Sequence, residues 1–108
     1  MHEVLCDDRL LKQTEVKTLD VAKALIDEGF HPMTIYFPLI ASGSMLIEPT
    51  ETETKDTLDQ FIGAMVKIAN QATSKNASAL HKAPKYAPRK RLDETKAARN
   101  PILRWTKN

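Results

Sequence analysis

An α+β fold is expected for this chain of 108 residues: a small, mostly antiparallel sheet with helices on one face. Two stretches carry apolar residues at three- and four-residue spacing, the mark of amphipathic helices. Between and before them lie short alternating stretches bounded by glycine, proline and small polar residues, as strands are. A chain of this length makes one domain at most, and at 42% hydrophobic residues its core is modest. Laying both helices on one sheet face is the simplest way to bury their stripes.

In chain order, Met1 to Cys6 alternates weakly, with His2, Val4 and Cys6 on one face, and reads as a short strand. It begins abruptly, as a cut or truncated domain would. Asp7 and Asp8 start a turn, and Arg9 to Lys12 can make one helical turn. Thr18 is the expected N-cap of the first helix, whose apolar face is Leu19, Ala22, Leu25 and Ile26. Gly29 suits the left-handed residue that ends it, followed by Phe30 as hydrophobic contact and by Pro32.

A strand over 34–40 follows, with Ile35, Phe37 and Leu39 to one side and Thr34, Tyr36 and Ile40 to the other. Ala41 to Ser44 is the expected hairpin connection, and Met45-Leu46-Ile47 runs back until Pro49 stops it. Thr50 to Glu53 reads as a capping box, with Glu48, Glu51 and Glu53 explained as helix-entry acids rather than acid/base catalysts. The second helix presents Leu58, Phe61, Ile62, Met65, Ile68 and Ala72. The expected division is a domain over residues 1–73 and an extended basic tail over 74–108. Pro84, Pro88 and Pro101 prevent one continuous helix there, although Leu92 to Arg99 can make two turns.

Composition excludes several functions. Net charge is only +2, too weak for a general nucleic-acid binder, and Cys6 is the single cysteine, so no internal disulfide forms. No apolar run reaches membrane-spanning length, and the N-terminus lacks a signal pattern, which makes a cytoplasmic protein the default. His2, His31 and His81 share no metal-ligand spacing with Cys6, and the three glycines are scattered, so there is no phosphate-cradling loop. The run Lys82, Lys85, Arg89, Lys90, Arg91, with Tyr86 among it, is the one feature pointing to nucleic acid. A solvated or protein-docked arm explains it better, given the balanced charge. A free-standing binding or regulatory module with a basic arm is the competing reading. No catalytic, cofactor-binding or metal-ligating residue is assigned.

Several stretches resemble a known family: Gly29-Phe30-His31-Pro32, Tyr36-Phe37-Pro38, Ile47-Glu48-Pro49-Thr50-Glu51, Leu92-Asp93-Glu94 and Ala97 to Trp105. They are similar to the C-terminal region of glycine decarboxylase, the P-protein of the glycine cleavage system, in the second subunit of its split form. The resemblance runs from His2 to Trp105, but a full subunit is several times longer. It implies the small C-terminal domain of a fold-type I (aspartate aminotransferase-like) pyridoxal-phosphate enzyme. The parent would decarboxylate glycine and pass the aminomethyl group to the lipoyl arm of H-protein, alongside the first P-protein subunit. The family's lysine-bearing motif, HKTFxxPHGGGGPG, does not occur here, so its role is not carried onto Lys82 and no pyridoxal phosphate is expected on this chain. Where the family suggests a histidine and a small polar pair, this chain has Lys85-Tyr86-Ala87. The chain would supply domain packing and cleft closure against the large domain. Without that domain it is expected to self-associate, with Trp105 and the tail reaching across to a second copy.

Overall fold

Three short strands, β1 (Val4–Cys6), β2 (Thr34–Ile35) and β3 (Met45–Ile47), pair antiparallel in the order β1-β3-β2 in the computed structural model, which describes residues 2–107. The register sets Cys6 and Ile35 on either side of Met45, so this row shares one face. Met45 is buried, and Cys6 and Ile35 pack against the core. Leu5, Leu46 and Thr34 form the row on the opposite face, where Leu5 stays half exposed. The helices α1 (Thr18–Asp27) and α2 (Lys55–Ala72) bury Val21, Ala24, Leu25, Ala64, Ile68 and Ala72 in the core cluster. The expected α+β architecture is the one observed.

The first helix ends as its sequence demands. Gly29 sits at φ 88°, Phe30 N–H donates to the Leu25 carbonyl at 3.0 Å and Gly29 N–H to Ile26 at 3.0 Å. This is the Schellman pattern, and it drops Phe30 onto Phe61 of α2, with ring centroids 5.4 Å apart and edge to face.

Its start differs from expectation. The N-cap is Lys17, whose N–H donates to the Asp20 carboxylate at 2.9 Å. Thr18 is the first helical residue, and its buried hydroxyl donates to the Gly43 carbonyl at 2.6 Å. A threonine that bonds a distant loop is not available to cap its own helix. Gly43 itself has φ 53°, and a Cβ there would lie 2.5 Å from that of Asp8, so only glycine lets the two loops meet.

The strand expected over 34–40 shrinks to Thr34–Ile35. Tyr36 turns out of the sheet at φ 58°, its N–H bonding the Ser44 carbonyl at 2.8 Å and its hydroxyl accepting from Leu19 N–H at 3.1 Å. Pro38 has no N–H for a ladder and instead begins a turn closed by Ala41 N–H on its carbonyl at 3.2 Å. Leu39 and Ile40 therefore stand 87% and 93% exposed at a loop tip, not on alternate sheet faces.

The second helix also starts later than expected. Thr50 to Glu53 close a turn of their own, with Glu53 N–H on the Thr50 carbonyl at 3.0 Å, and no capping box forms there. Thr54 is the cap, its hydroxyl accepting from Thr57 N–H at 3.1 Å. Asp56 is the acid in the first turn. The buried line is Ala64, Ile68 and Ala72, flanked by Phe61 and Met65, while Ile62 lies outside it and is 58% exposed.

The segment beyond α2 is of two kinds. A 3₁₀ helix, Ala77–Lys82, packs on α1 and α2 and buries Ala77 and Leu80, with Ala83 buried just after. From Leu92 onward every described residue is exposed, and the short helix α3 (Glu94–Arg99) buries nothing. The Cα radius of gyration, 15.6 Å, exceeds the roughly 13 Å of a compact chain this size, as a projecting arm requires.

Candidate functional site

Two features stand out, a cleft and a clasp. The cleft lies where the chain after Gly29 crosses the end of β3 and the first turns of α2. Phe30, Met33, Leu46, Ile47, Leu58 and Phe61 supply its apolar lining, and its volume is about 390 Å³. His31, Glu48, Glu53 and Thr57 bring polar groups to it, and no lysine or arginine lines it. Glu48, Glu51 and Glu53 were expected to serve helix entry. Among the described residues none of their carboxylates makes a hydrogen bond or ion pair, because the cap is Thr54. All three are exposed, and Glu48 and Glu53 make an acidic rim to the cleft.

The clasp is built on α1. Asp20 and Asp27 are seven residues apart, two turns, and so lie on one helix face. The Asp20 carboxylate is buried and meets three donors: Lys17 N–H at 2.9 Å, His81 Nδ1 at 3.1 Å and Arg91 Nη2 at 2.7 Å. Burial by itself would raise its pKa. The Lys17 N–H, the Arg91 guanidinium and the His81 ring outweigh that and hold the carboxyl below its ordinary value. Asp27 accepts Lys85 N–H at 2.7 Å and Tyr86 N–H at 3.0 Å. Arg91 also donates to the Ala83 and Leu80 carbonyls, at 2.5 and 3.2 Å. Residues 77–91 are thereby fastened to α1 across a long sequence separation.

This clasp was not anticipated. The signal that could have found it is the Asp20/Asp27 spacing, which puts both acids on one face of a helix with a single lysine, Lys23. An acid at the core edge of such a helix needs a cation, and the nearest basic run is the tail.

The basic run is accordingly not a free stripe. Arg91 is turned inward, and Lys90 Nζ bonds the Lys85 and Ala87 carbonyls, leaving Tyr86 84% exposed beside them. The three histidines are dispersed: His2 lies 3.6 Å from Glu3, His31 lines the cleft and His81 is in the clasp. Among the described residues no group of histidine, cysteine and carboxylates is placed to hold a metal, and no helix is long and apolar enough to cross a membrane.

Known proteins supply the remaining context. Residues 1–88 match the family described as "Glycine dehydrogenase, C-terminal domain". A probable glycine dehydrogenase (decarboxylating) subunit 2 of Caulobacter vibrioides is 59% identical over 97% of this chain and 20% of its own length. The protein of the same name from Caldanaerobacter subterraneus subsp. tengcongensis is 56% identical over 99% of the chain and 22% of its own. A third, from Shouchella clausii, is 52% identical over 96% of the chain and 21% of its own. The chain spans about a fifth of the length of these relatives. A family match over most of the chain, joined to relatives sharing more than half its residues, means that this chain belongs to the glycine dehydrogenase C-terminal domain family.

Proposed function

We propose that this chain acts as the small domain of a glycine dehydrogenase (decarboxylating) subunit 2, packing on a large domain and helping to close its cleft. The observation that carries this is the family match over residues 1–88, on a chain that spans only a fifth of its relatives. The parent enzyme in this reading is a pyridoxal-phosphate oxidoreductase of the cytoplasm. It decarboxylates glycine and passes the aminomethyl group to the lipoyl arm of H-protein, in company with the first P-protein subunit.

The residues present do not fit pyridoxal phosphate by themselves. An aldehyde cofactor needs an amine to condense with, and its phosphate needs cations or a cluster of N–H donors. The cleft has neither lysine nor arginine and carries Glu48 and Glu53 instead. Lys82 ends the 3₁₀ helix at an exposed position. No step of the reaction is assigned to this chain.

Its contribution is mechanical. The clasp fastens residues 77–91 to α1, and the half-exposed Val4 and Leu5 of β1, with the tip of Leu39 and Ile40, offer apolar surface that a neighbouring domain would cover. The alternative, a nucleic-acid module, finds less support, because Arg91 and Lys90 are engaged with the protein.

Fragment complementation tests the reading. The Caulobacter vibrioides relative, cut before its matching segment, is combined with its first subunit and lipoyl H-protein. Glycine-dependent exchange of carbon dioxide should be absent and should return when this chain is added. Failure to return, with the chain folded by circular dichroism, would overturn the reading.

A further inference from the structure

We infer that the tip of the 36–44 loop, Phe37 to Ile40, is a preformed apolar knob that seats in the part of a subunit 2 lying outside this chain, with Tyr36 as the residue that aims it. The inference deepens the reading above and rests on it for the owner of the socket.

Tyr36 is the starting observation. Its φ of 58° is a left-handed conformation that a bulky side chain rarely adopts, and such strain persists only where the surroundings fix it. Here the residue is held at both ends. Tyr36 N–H donates to the Ser44 carbonyl at 2.8 Å, and its hydroxyl accepts from Leu19 N–H of α1 at 3.1 Å. The returning limb is pinned as firmly. Thr18 Oγ1 donates to the Gly43 carbonyl at 2.6 Å, Asp8 N–H to the Ser42 carbonyl at 3.1 Å, and Ser42 Oγ to the Asp8 carboxylate at 3.2 Å. Both limbs of the loop are therefore tied down, to α1 and to the turn after β1.

What this frame carries is apolar. Phe37, Leu39 and Ile40 are all exposed, and no residue from Thr34 to Ile47 is charged. Loop tips that face only water are ordinarily polar and mobile. A rigid apolar tip loses its ordering entropy on folding rather than on binding, which is what a preorganised contact does. Its lack of charge suits an apolar socket and not a nucleic acid. The chain matches 20% and 22% of the length of two relatives, so about four-fifths of each lies outside the match. In those proteins that remainder is covalently joined to the domain, at high effective concentration, and meets the knob ahead of any separate partner.

Hydrogen exchange at the Leu39 and Ile40 amides tests this, because neither N–H has a backbone acceptor among the described residues. In the isolated chain both should exchange as free amides do. A full-length subunit 2 is made by setting this chain in place of the matching segment of the Caulobacter vibrioides relative. There the two amides should exchange roughly ten-fold more slowly or less. The unaltered relative, followed over its own matching loop, gives the same comparison without a junction. Leu39→Ser with Ile40→Ser should leave the isolated chain's urea midpoint where it was, since both side chains are exposed, and should abolish the protection in the subunit. Tyr36→Phe keeps the ring, loses the bond to Leu19 N–H and should cut the protection about three- to ten-fold. Free exchange in the joined subunit and the relative alike would overturn the inference. So would protection that survives the double substitution, or that appears only once the first subunit is added, which would give the socket to that subunit. Unchanged protection in Tyr36→Phe would overturn the part given to Tyr36. None of these measurements needs activity, so a failure here is told apart from a failure of fragment complementation.

Discussion

Asp20 shows how one side chain can decide the structure of a distant segment. It is the one buried carboxylate of α1, and its three donors come from Lys17, His81 and Arg91. Removing the charge while keeping the shape, as in Asp20→Asn, should cost about 2 kcal/mol near neutral pH, because charge-assisted bonds are lost and Arg91 is left unpaired. Folding lowers this carboxyl's pKa, so its contribution is full above the unfolded value and is lost as pH falls through the folded one. The stability gap between the native chain and Asp20→Asn should therefore be constant at neutral pH and shrink below about pH 4. Urea melts over that range measure it, and a gap that widens towards acid would show that other groups dominate. The Thr54 cap offers a second test at this scale. Thr54→Ala should cost about 1 kcal/mol and Thr50→Ala clearly less, since only Thr54 accepts from a free helix N–H. Equal effects in chemical denaturation would return the cap to Thr50.

At the scale of elements, the region after α2 divides at Arg91. The 3₁₀ helix buries Ala77 and Leu80, and the segment from it to Arg91 is held by two α1 carboxylates, whereas α3 has a good cap, Asp93 accepting from Lys96 N–H at 2.9 Å, but nothing to pack on. A short helix without tertiary contacts is marginal in water. Limited trypsin digestion in dilute solution should cut among Lys96, Arg99 and Arg104 first and leave a resistant product ending near Arg91. Early cleavage at Lys82 or Lys85 would mean that the clasp opens readily. Sequence periodicity identified both long helices because 3.6-residue stripes are local properties. It failed at the strand over 34–40, where alternation continued past the point at which Pro38 ends the hydrogen-bonding.

For the whole molecule, the proposed division of labour is that this chain shapes a cleft and the rest of the parent performs the chemistry. Borohydride trapping with stoichiometric pyridoxal phosphate should give scattered, partial labelling of lysines. All but the half-buried Lys23 lie exposed, and none lines the cleft. A single fully labelled lysine would show an organised cofactor site and end the structural reading of this domain.

By itself the sequence determined the class of fold, the two helices, the Gly29 turn, the strand Met45–Ile47 and the family, all of which rest on local spacing or on long runs of matching residues. Tertiary structure alone decided which threonine caps α2, why Thr18 is buried, how far the first hairpin strand extends and where the tail is held. The burial of Thr18 and the holding of the tail each depend on a partner far along the chain: Gly43 for Thr18, and Arg91 for Asp20. The acids of Thr50 to Glu53 make the point most plainly. Their pattern allows a helix cap, but the chain needs those residues for the turn between β3 and α2, and Glu53 is left to line the cleft. Local pattern states what a segment can form, and burial elsewhere selects which of those options is stable.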